Sequence, residues 1–599
     1  MSEGEDTQPS ADLTELAKRR GFFLQSAGAY GGVSGFYTFG PQGASLKDNI
    51  ENSWRDRFTL QEGNMEIDAP TVMPEPVFEA SGHLDGFDDM LVECPECAES
   101  HRADHVVEDN TEYEEAEGLG PERVGEIIAE YELVCPTCGT GLAGQAIEDF
   151  NLMFETNIGP GSSSPGYLRP ETAQGIFVEF PQLKEYARNQ LPFGVTQIGR
   201  AYRNEISPRK SLLRVREFTQ AELELFVDPE DGDGPELESV ADVVAPFYGV
   251  DQQESDEGDP LEITVGEAHE EGLVADPWIA YYLGVATEWY ESIGVDMDRF
   301  RFRQHLSGER AHYAADCWDA EAEVDGDWIE LAGFAYRSDY DLSKHHEYSD
   351  DEFTIFRQYD EPVTVERPTV DPDMSALGPE FGGAAGDVAD ALETLAESKP
   401  EAFQEAEAED GEVTVEVDGD AYDVPVEQTG FAVEEVTESG EHIVPHVVEP
   451  SLGIDRALYT ALDHCYRQDE SDGEERTFLK LPPEVAPTTV GVFPLMDRDG
   501  LGETAREVAK DLREQGLSVA YDASGAIGRR YRRQDEVGTP FCVTVDYATI
   551  DEAEDESEGE PGTVTVRERD TTAQLRIPIE ELAETLEALR DGDLTFDSL

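Results

Sequence analysis

The segment YRNEISPRKSLLRVREF, residues 202–218, gathers cations in a chain that has only 42 Lys and Arg against 135 Asp and Glu. It predicts a strand ending near Glu205, a basic loop at 207–210 and a return strand through Phe218, which together form an antiparallel hairpin. Clustered cations at one end of a hairpin suit a triphosphate, and an exposed Phe suits stacking on a purine ring. The alternative is a solvated basic hairpin without a ligand, which fits poorly with the scarcity of cations elsewhere.

A second segment, EPSLGIDR at residues 449–456, precedes an apolar helical pattern at 457–466. Gly453 allows the backbone to approach a ligand closely, and Arg456 falls in the first turn of the predicted helix, near its partial positive end. Both features suit a phosphate. Taken alone, the segment is a weak signal that is equally typical of an ordinary helix start.

The composition excludes some classes of protein. A chain of 599 residues is too long for one hydrophobic core, so three or four domains are expected, and its 39 % hydrophobic residues exclude a disordered acidic protein. The net charge of −93 fits either a protein that avoids nucleic acid or a surface adapted to molar salt. In about 1 M salt the Debye length is roughly 3 Å, so repulsion between carboxylates is screened. Because Asp and Glu occur in every region rather than in one block, we favour salt adaptation.

Taken together, the segments resemble class II aminoacyl-tRNA synthetases. Residues 202–218 resemble motif 2, residues 449–456 resemble motif 3, and the helix around Trp54 followed by MEIDAP (65–70) resembles motif 1. From about Leu13 to the C-terminal helix, the sequence is similar to those of the glycyl-tRNA synthetases of the archaeal and eukaryotic branch. The stretches that carry this likeness include YGGVSGFYTFGPQG (30–43), PEPVFEASGH (74–83), RADH (102–105), FNLMF (150–154), YLRPETAQGIF (167–177) and HYAADCWDAE (312–321).

The resemblance implies a fold and an activity. The expected fold is an α+β catalytic domain built on an antiparallel sheet, with a C-terminal α/β anticodon-binding domain. The implied enzyme activates glycine with ATP and Mg²⁺ to glycyl-adenylate and transfers glycine to the 3′ end of tRNA(Gly). Since motif 1 is a dimer-interface feature of the family, a homodimer is expected. No targeting segment or apolar run long enough for a membrane helix is visible, so we expect a soluble cytoplasmic protein.

Roles in ATP binding come from the same resemblance. It assigns Arg203 to the α-phosphate and the activated carboxylate, Phe218 to stacking on adenine, and Arg456 to the γ-phosphate. Arg203, Arg456 and Glu330 form the implied catalytic set, and Glu330 with Leu331 helps to hold ATP and its Mg²⁺. The implied ATP-binding residues are Arg203, Asn204, Glu205, Leu213, Arg214, Val215, Arg216, Glu217, Phe218, Glu330, Leu331, Gly453, Ile454, Asp455 and Arg456.

Glycine has no side chain to grasp, so its site can only neutralise the ammonium, pair the carboxylate and exclude larger molecules. The resemblance implies a tight pocket lined by carboxylates and a few other polar groups. For any single Glu of this acidic chain, surface decoration would be the first interpretation, and only the motif context favours a pocket. The implied glycine-binding residues are Arg102, Glu171, Phe218, Thr219, Gln220, Ala221, Glu222, Arg337, Glu449, Pro450, Ser451, Leu452 and Gly453.

Four of the seven cysteines form two pairs, Cys94 with Cys97 and Cys135 with Cys138, each in a CPxC sequence. Two such pairs in a reducing compartment predict a structural Zn²⁺ site with four thiolate ligands, although the gap between the pairs is longer than in compact zinc ribbons. The alternative is four free thiols. The remaining cysteines, Cys317, Cys465 and Cys542, are expected in the core. The pair His345-His346 is interpreted as an exposed turn.

The C-terminal region alternates strands and helices and resembles the anticodon-binding domain shared by the glycyl, histidyl, prolyl and threonyl enzymes. Its most basic stretch, IGRRYRR at residues 527–533, offers cations around an aromatic ring, which suits an RNA contact. The predicted tRNA-binding residues are Arg529, Arg530, Tyr531, Arg532 and Arg533. The alternative is a helix whose arginines pair with nearby acidic residues.

Predicted domain limits follow the motifs. They are 1–87 for the N-terminal part of the catalytic domain with motif 1, 88–150 for an insertion with the four cysteines, 151–364 for the catalytic core with motif 2, 365–445 for a second insertion, 446–485 for motif 3 and the end of the core, and 486–599 for the anticodon-binding domain. Rival interpretations are another class II synthetase of the same subgroup, a non-catalytic paralogue, which should lack Arg203 or Arg456, and an acidic metal-binding or structural protein.

Overall fold

The computed structural model describes residues 9–111, 113, 116–160, 164–208, 211–230, 234–255, 258–306, 316–408, 411–417, 419–471, 473–550 and 561–599. By packing, the chain divides into two compact units, one of residues 1–353 with 445–599 and one of Thr354–Val444. Among the described residues, no helix combines the length and the apolar character needed to cross a membrane. Arg209 and Lys210, at the tip of the predicted basic loop, lie outside the described residues.

The centre of the larger unit is a mostly antiparallel sheet, which confirms the predicted fold class. Its parallel pairs include Met65–Glu66 with Phe193–Tyr202, and Val244–Tyr248 with Phe300–Gln304. From one edge to the other the strands are Leu261–Thr264, Val244–Tyr248, Phe300–Gln304, Cys317–Val324, Asp327–Ser338, His446–Gly453, Glu217–Val227, Phe193–Tyr202 and Met65–Glu66.

Long apolar helices cover one face of this sheet. Pro277–Ser292 is apolar on nearly every side and is buried along most of its length, and the side chain of Asp276 caps its N-terminus by accepting from the N–H groups of Trp278 and Ile279. The motif-1 helix, Pro41–Trp54, runs on as a π-helical segment, Arg55–Gln61. Side chains along a strand alternate between the two faces of the sheet. The apolar side chains therefore face these helices, and the polar side chains lie on the opposite face. Further helices of this unit are Pro9–Arg20, Glu75–Ala80, His83–Gly86, Ala173–Phe177, Phe180–Tyr186, Val250–Gln253, Val265–Glu270, Tyr340–Tyr348 and Ile454–His464.

Short sheets flank the catalytic sheet. Phe23–Gln25 pairs with Tyr37–Phe39, and Tyr466–Ser471 pairs with Glu474–Leu479. A third small sheet has the strand order Val72–Pro74, Pro165–Leu168, Phe154–Asn157.

The cysteine-containing insertion is a small subdomain with its own core. Its three strands lie in the order Ser100–Arg102, Asp88–Glu93, Ile147–Asn151, and its helices are Ala103–Glu108 and Pro121–Glu130. A cluster of buried apolar side chains that includes Val92, Val107 and Ile127 packs beside two of the cysteines, Cys94 and Cys135.

The compact unit Thr354–Val444 begins upstream of the predicted insertion limit at residue 365. A long antiparallel ribbon of Ile355–Thr369 and Ala432–Ile443 carries its two ends, and a hairpin of Glu412–Val417 with Asp420–Pro425 lies within it. Its helices are Met374–Phe381, Ala385–Ser398, Pro400–Ala408 and Val426–Thr429, and they share a core with the hairpin.

The C-terminal domain has the predicted α/β order. Its sheet runs Val519–Tyr521, Val490–Pro494, Phe541–Val545, Thr563–Glu568, Gln574–Pro578, with the first three strands parallel and the last two antiparallel. The helices are Leu501–Glu514, Ile527–Asp535 and Leu582–Arg590.

Three of the smaller expectations are tested by burial. Cys317, Cys465 and Cys542 are buried, as predicted. The interpretation of His345-His346 as an exposed turn is wrong for His345. That residue is buried in the helix Tyr340–Tyr348, and its Nε2 lies 3.1 Å from Oε1 of Gln174. A helix places neighbouring residues on different faces, so His346 alone is exposed.

Candidate active site

A cleft opens on the polar face of the central sheet, where the motif-2 hairpin, the strand Asp327–Ser338 and the start of the helix Ile454–His464 meet. The hairpin is antiparallel, as predicted, with Tyr202 opposite Glu217 and Ala201 opposite Phe218. Residues lining the cleft are Arg203, Glu205, Leu212, Leu213, Arg214, Val215, Phe218, Thr219, Gln220, Glu330, Leu331, Gly333, Ser451, Gly453, Asp455 and Arg456.

Arg456 is fixed by backbone carbonyls at one end of the cleft. Its Nη1 donates to the carbonyl of Glu330 at 2.6 Å, and its Nε donates to the carbonyl of Leu213 at 3.2 Å. The same Nη1 lies 3.5 Å from the Glu330 carboxylate, and the guanidinium lowers the pKa of that carboxyl. Both side chains remain partly exposed, at 31 % and 56 %. A cation that is oriented by the backbone but open to solvent is well arranged to receive a phosphate.

The other cations of the cleft surround an aromatic ring. The guanidinium carbon of Arg203 lies 5.5 Å from the ring centre of Phe218 and 5.4 Å from that of Phe87. Its Nε donates to the carbonyl of Pro170 at 3.3 Å. Arg214 also lines the cleft, with its Nε 3.7 Å from the carboxylate of Glu205. The arrangement offers a stacking surface between fixed positive charges.

Four members of the implied ATP-binding set do not line this cleft. The N–H of Asn204 donates to the carbonyl of Leu152, and Ile454 is fully buried in the core. Arg216 braces the hairpin instead, donating through Nη2 to the carbonyl of Glu205 at 2.7 Å. Glu217 pairs with Arg200 at 3.7 Å. Since successive strand residues face opposite sides, Glu217 cannot share the side of Phe218.

A row of carboxylates lies deeper in the sheet, next to the cation-lined cleft. Glu222 stands opposite Ser451 on the neighbouring strand. The Ser451 hydroxyl donates to Glu222 Oε1 at 2.6 Å, and the Thr172 hydroxyl donates to its Oε2. Burial of this side chain raises the pKa of Glu222, with the charge of Glu171 acting in the same direction. A buried acid held by two hydroxyls is poised to receive a cation.

Arg337 is the cation of this pocket. It donates to Glu449 Oε2 at 2.9 Å and binds Asp341 through two nitrogens, at 2.7 and 2.9 Å. Burial raises the pKa of Glu449 to about 7, even though Arg337 opposes the rise. Glu171 behaves differently. Burial acts to raise the pKa of Glu171, but His83, with Nε2 at 3.6 Å, and Arg337 lower it overall.

Glu224 belongs to this row but was not predicted. It is fully buried, and in the part of the chain that the structure describes neither carboxylate oxygen has a hydrogen-bond partner. Burial and the charge of Glu449 raise the pKa of Glu224 well above its ordinary value. Its position two residues after Glu222 on one strand could have indicated a shared face. Thr172 and His83, which touch Glu222 and Glu171, were missed as well.

Four members of the implied glycine-binding set lie elsewhere. Pro450 alternates with Glu449 and Ser451 along its strand and stands opposite Phe334, which is fully buried in the apolar core. Ala221 and Leu452 are fully buried in the apolar core, because they alternate with Glu222 and Ser451 along their strands. Arg102 lies in another cavity, where it binds Asp104 and its Nη1 lies 3.1 Å from Asp89. Carboxylates of the cysteine-containing subdomain therefore hold Arg102.

The four paired cysteines converge. Their sulfur atoms all lie within 4.8 Å of one another, with Cys94 and Cys138 at 3.5 Å and Cys97 and Cys135 at 3.7 Å. A tetrahedral ion with metal–sulfur bonds of about 2.3 Å needs sulfurs about 3.8 Å apart. The backbone forms a tight turn in each CPxC, with Ala98 donating to the carbonyl of Cys94 and Gly139 to that of Cys135. The donor set and its spacing fit Zn²⁺.

The predicted tRNA-binding stretch is only partly available at the surface. Arg530 is buried and donates to the carbonyls of Pro494, Ala523 and Gly525. The hydroxyl oxygen of Tyr531 lies 2.6 Å from the hydroxyl oxygen of Thr544. These two contacts correct the prediction, because neither side chain is directed to solvent.

The remaining arginines of that stretch differ in exposure. Arg529 is exposed and Arg532 is half-buried. Arg533 is bound to Asp522, as the alternative interpretation of a helix paired with acidic residues expects. Arg529 is therefore the residue of the five that faces solvent most fully.

Comparison with known proteins supports the resemblance. Residues 163–249 match the family model of the class II tRNA synthetase core domain (G, H, P, S and T), and residues 489–589 match that of the anticodon binding domain. The glycine–tRNA ligase of Methanothrix thermoacetophila is 47 % identical over 98 % of this chain and 97 % of that protein. Those of Archaeoglobus fulgidus and Methanothermobacter thermautotrophicus are 46 % and 45 % identical, over 97 % and 96 % of this chain and 96 % and 98 % of those proteins.

Among solved structures, prolyl-tRNA synthetase from Cryptosporidium parvum complexed with L-proline and AMP covers 97 % of this chain and 78 % of its own, with a TM-score of 0.48 and 12 % identity. The archaeal relatives are similar over nearly their whole length, and both domain families are present. The chain belongs to the glycine–tRNA ligase family of class II aminoacyl-tRNA synthetases.

Proposed function

We propose that this protein activates glycine with ATP and transfers it to tRNA(Gly), using the cleft and the carboxylate row as one site. The observation that carries the proposal is their continuity. The strand Glu217–Val227 carries Phe218 in the cleft and Glu222 in the row, and the next strand carries Ser451 beside Gly453. A nucleotide bound in the cleft therefore places its α-phosphate beside the carboxylate pocket.

In the cleft, Phe218 stacks on adenine, Arg203 neutralises the α-phosphate, and Arg456 neutralises the γ-phosphate. Glu205 and Arg214 border the adenine end. The carboxylate of Glu330, beside Arg456, is the group we assign to the Mg²⁺ that accompanies ATP, where the ion would supply charge neutralisation on the phosphates. Most of these groups are fixed by backbone or neighbouring side chains before ATP arrives, so little reorganisation is needed during reaction.

In the pocket, the glycine ammonium lies among Glu171, Glu222 and Glu449, and its carboxylate is directed toward Arg203. Recognition rests on charge and size, because there is no side chain to contact. One additional methylene is worth only about 1–3 kcal/mol of discrimination in a pocket that can accommodate it, and more where it clashes. The packed row of buried carboxylates around Arg337 leaves the site rigid enough for such a clash.

The first step forms a bond between a glycine carboxylate oxygen and the α-phosphorus, and the bond from that phosphorus to the β-phosphate oxygen breaks, releasing pyrophosphate. In the second step the 3′-hydroxyl of the tRNA attacks the adenylate carbonyl, AMP leaves, and the hydroxyl proton passes to the departing phosphate or to water. Positioning and charge neutralisation supply the acceleration, and no strong base is required.

For tRNA, the C-terminal domain supplies the anticodon contact, and we assign Arg529 as its exposed cation. Arg529→Ala is expected to weaken tRNA binding about threefold without a change in melting temperature, as for one phosphate contact. Arg530→Ala is the matched comparison: it should lower stability by about 2–3 kcal/mol, because three carbonyls lose their donor. An Arg529→Ala variant that binds tRNA like the parent would remove this assignment.

The four cysteines are assigned to a structural Zn²⁺, which would hold the two CPxC turns together. Metal analysis of the purified protein should find one zinc per chain, and Cys97→Ser should lose it. Four titratable free thiols at this position in the native protein would contradict the assignment.

We also infer a homodimer built through motif 1. A monomer whose mass in molar-salt light scattering is independent of concentration would contradict that inference.

The test of the function is ATP–pyrophosphate exchange in about 2–3 M KCl, the regime indicated by the charge of the chain, with each amino acid offered in turn. Exchange with glycine alone is the expected result. Exchange with another amino acid would keep the fold and overturn the specificity. No exchange from a folded sample would leave a non-catalytic paralogue.

A further inference from the structure

The cysteine-containing subdomain touches the motif-2 hairpin through one short segment. This segment, here called the knuckle arm, consists of the strand Ser100–Arg102 and the helix Ala103–Glu108. At its start, the Ser207 hydroxyl of the motif-2 loop donates to the carbonyl of Ser100 at 3.1 Å. In its helix, Nδ1 of His105 lies 3.3 Å from Nη1 of Arg214. Two separate points of the hairpin thus rest on one element.

The guanidinium of Arg214 lies against the imidazole of His105, with Nη1 at 3.3 Å from Nδ1 and 3.5 Å from Nε2 of the same ring. A guanidinium can only donate, so a ring nitrogen accepts from it only where that nitrogen carries no proton. On its other side Arg214 faces the carboxylate of Glu205, 3.7 Å from its Nε. Arg214 therefore lies between the imidazole of His105 and the carboxylate of Glu205. Its side chain is still 31 % exposed toward the cleft.

The knuckle arm also lines the cleft beyond the phosphate end. A cavity next to the site is lined by His105, Glu108, Asp109, Leu213, Arg214, Trp328, Ile329, Glu330 and Arg456. Two of these, Arg456 and Glu330, are also residues of the proposed phosphate site. The helix of the knuckle arm is thus one wall of a cavity that adjoins the proposed phosphate site.

At its other end the knuckle arm is anchored in the subdomain. Nε2 of His101 lies 3.2 Å from the sulfur of Cys135. Arg102 is fixed by Asp89 and Asp104, and its Nε lies 3.1 Å from an Asp104 oxygen. His101, Arg102 and Asp104 are all buried. The position of His105 is therefore set by a packed frame rather than by the mobile tip of a loop.

We propose that His105 is a positioning residue for ATP binding, which acts by orienting Arg214 toward the nucleotide, and that the cysteine-containing subdomain is thereby a structural part of the ATP site. The inference rests on the proposed function. It assigns to the subdomain a task in the first half-reaction, in addition to any contact with tRNA.

The test compares His105→Ala with His105→Gln in ATP–pyrophosphate exchange. His105→Ala should raise the KM for ATP about tenfold, the size expected for losing one hydrogen bond to a charged group, with kcat and the KM for glycine changed less than about twofold. His105→Gln keeps an acceptor and should recover most of the affinity. His346→Ala, which removes an exposed histidine outside the cleft, is the matched control and should behave as the parent does.

A double-mutant cycle separates positioning from general destabilisation. Because His105 is argued to act through Arg214, His105→Ala in an Arg214→Ala background should add less than about twofold to the KM for ATP. A full tenfold further increase would overturn the proposal, as would a KM for glycine that rises in parallel with that for ATP. Should the alanine variant fail to melt cooperatively, His105→Leu, which fills the space but offers no hydrogen-bond acceptor, replaces it.

Failure of this inference and failure of the proposed function give different results. An unchanged KM for ATP in His105→Ala, with normal glycine-dependent exchange, overturns the inference alone. If the parent shows no exchange, the proposed function falls, and calorimetric titration with ATP still decides the role of His105. Equal ATP affinity of parent and His105→Ala in that titration overturns the inference too.

Discussion

The site has two halves of opposite charge in one acidic chain. The nucleotide half is the cation-lined cleft, and the glycine half is the row of carboxylates next to it. The nucleotide half presents guanidinium groups that are partly exposed, such as Arg456 at 31 %. The glycine half presents carboxylates that are buried, such as Glu222 and Glu449, and the second of these binds the guanidinium of Arg337. In the first half the charges are those of arginine side chains, which are not deprotonated in proteins. In the second half burial raises the pKa of Glu222 and Glu449.

This difference shows that the net charge of −93 says little about the local fields of the site. A large polyanion needs fixed cations that it can reach from solvent. A small zwitterion needs carboxylates whose desolvation is relieved when an ammonium group arrives. Acidic residues on the surface are therefore distinct from the buried carboxylates of the pocket. The first give the chain its net charge, and the second are arranged to bind an ammonium group.

The largest expected effect tests the nucleotide half. Arg203→Ala should lower kcat/KM for exchange about 1,000-fold, because a fixed cation at the reacting phosphate is lost. Arg200→Ala is the matched control, since Arg200 lies on the strand that leads to Arg203 but pairs with Glu217, and it should stay within about threefold of the parent. Equal losses in the two variants would show that the cation acts through the fold and not on the phosphate.

The next effect tests the glycine half. Glu222→Gln keeps the shape and the two hydroxyl contacts but removes the charge, so the KM for glycine should rise about 100-fold while the KM for ATP stays within about twofold. Glu217→Gln, on the same strand and facing the other side, should leave both constants near those of the parent. If the KM for ATP rises as much as that for glycine, the two halves are not separable.

A smaller effect follows from protonation. Because the pKa of Glu449 is raised to about 7, this carboxyl gains a proton below that pH and loses its attraction for the ammonium. The KM for glycine should therefore rise about fivefold from pH 8 to pH 6, and the KM for ATP should not. Glu449→Gln should flatten this dependence, and a slope that survives in the variant would assign it to another group.

Folding stability should respond with the opposite sign. A carboxyl whose folded pKa lies above its unfolded value stabilises the protein fully only below the unfolded pKa, and this contribution is lost as pH rises through about 7. Acidification from pH 8 to pH 6 should thus weaken glycine binding while reducing the destabilisation due to Glu449. Thermal melting of the parent and Glu449→Gln over this range measures the difference.

The smallest expected effect concerns salt. The exposed guanidinium groups of the nucleotide half are screened by ions, whereas the buried carboxylates are shielded from them. Between about 0.5 and 3 M KCl, the KM for ATP should rise about two- to threefold and the KM for glycine less than about 1.5-fold. Equal salt dependence of the two constants, in a sample whose circular dichroism is constant over the range, would break the comparison.

The features that the sequence predicted well are encoded locally. The strand patterns around residues 202–218 predict the hairpin. Gly453 and the helical spacing of the apolar residues after it predict the helix that follows. Each of these signals lies within a stretch of about twenty residues, so no knowledge of distant contacts is needed.

The features that the sequence did not predict depend on which way a side chain faces. In the helix Ile527–Asp535, Arg530 and Gln534 are one helical turn apart and both face inward, while Arg529 faces solvent. Glu224 is one of many acidic residues in the chain, and only the alignment of its strand with His446–Gly453 shows that it is buried beside Glu449. The location of Arg102 outside the glycine pocket likewise becomes visible only when the positions of Asp89 and Asp104, which bind it, are known.

The unit Thr354–Val444 begins and ends on paired strands, with Ile355 opposite Ile443. Its entry and exit points are therefore neighbours, and a short turn could join them in its place. In evolutionary terms, such an excursion can grow, shrink or be replaced without shifting the register of any strand in the nine-stranded sheet. Divergence among relatives can accumulate there at little cost to the chemistry.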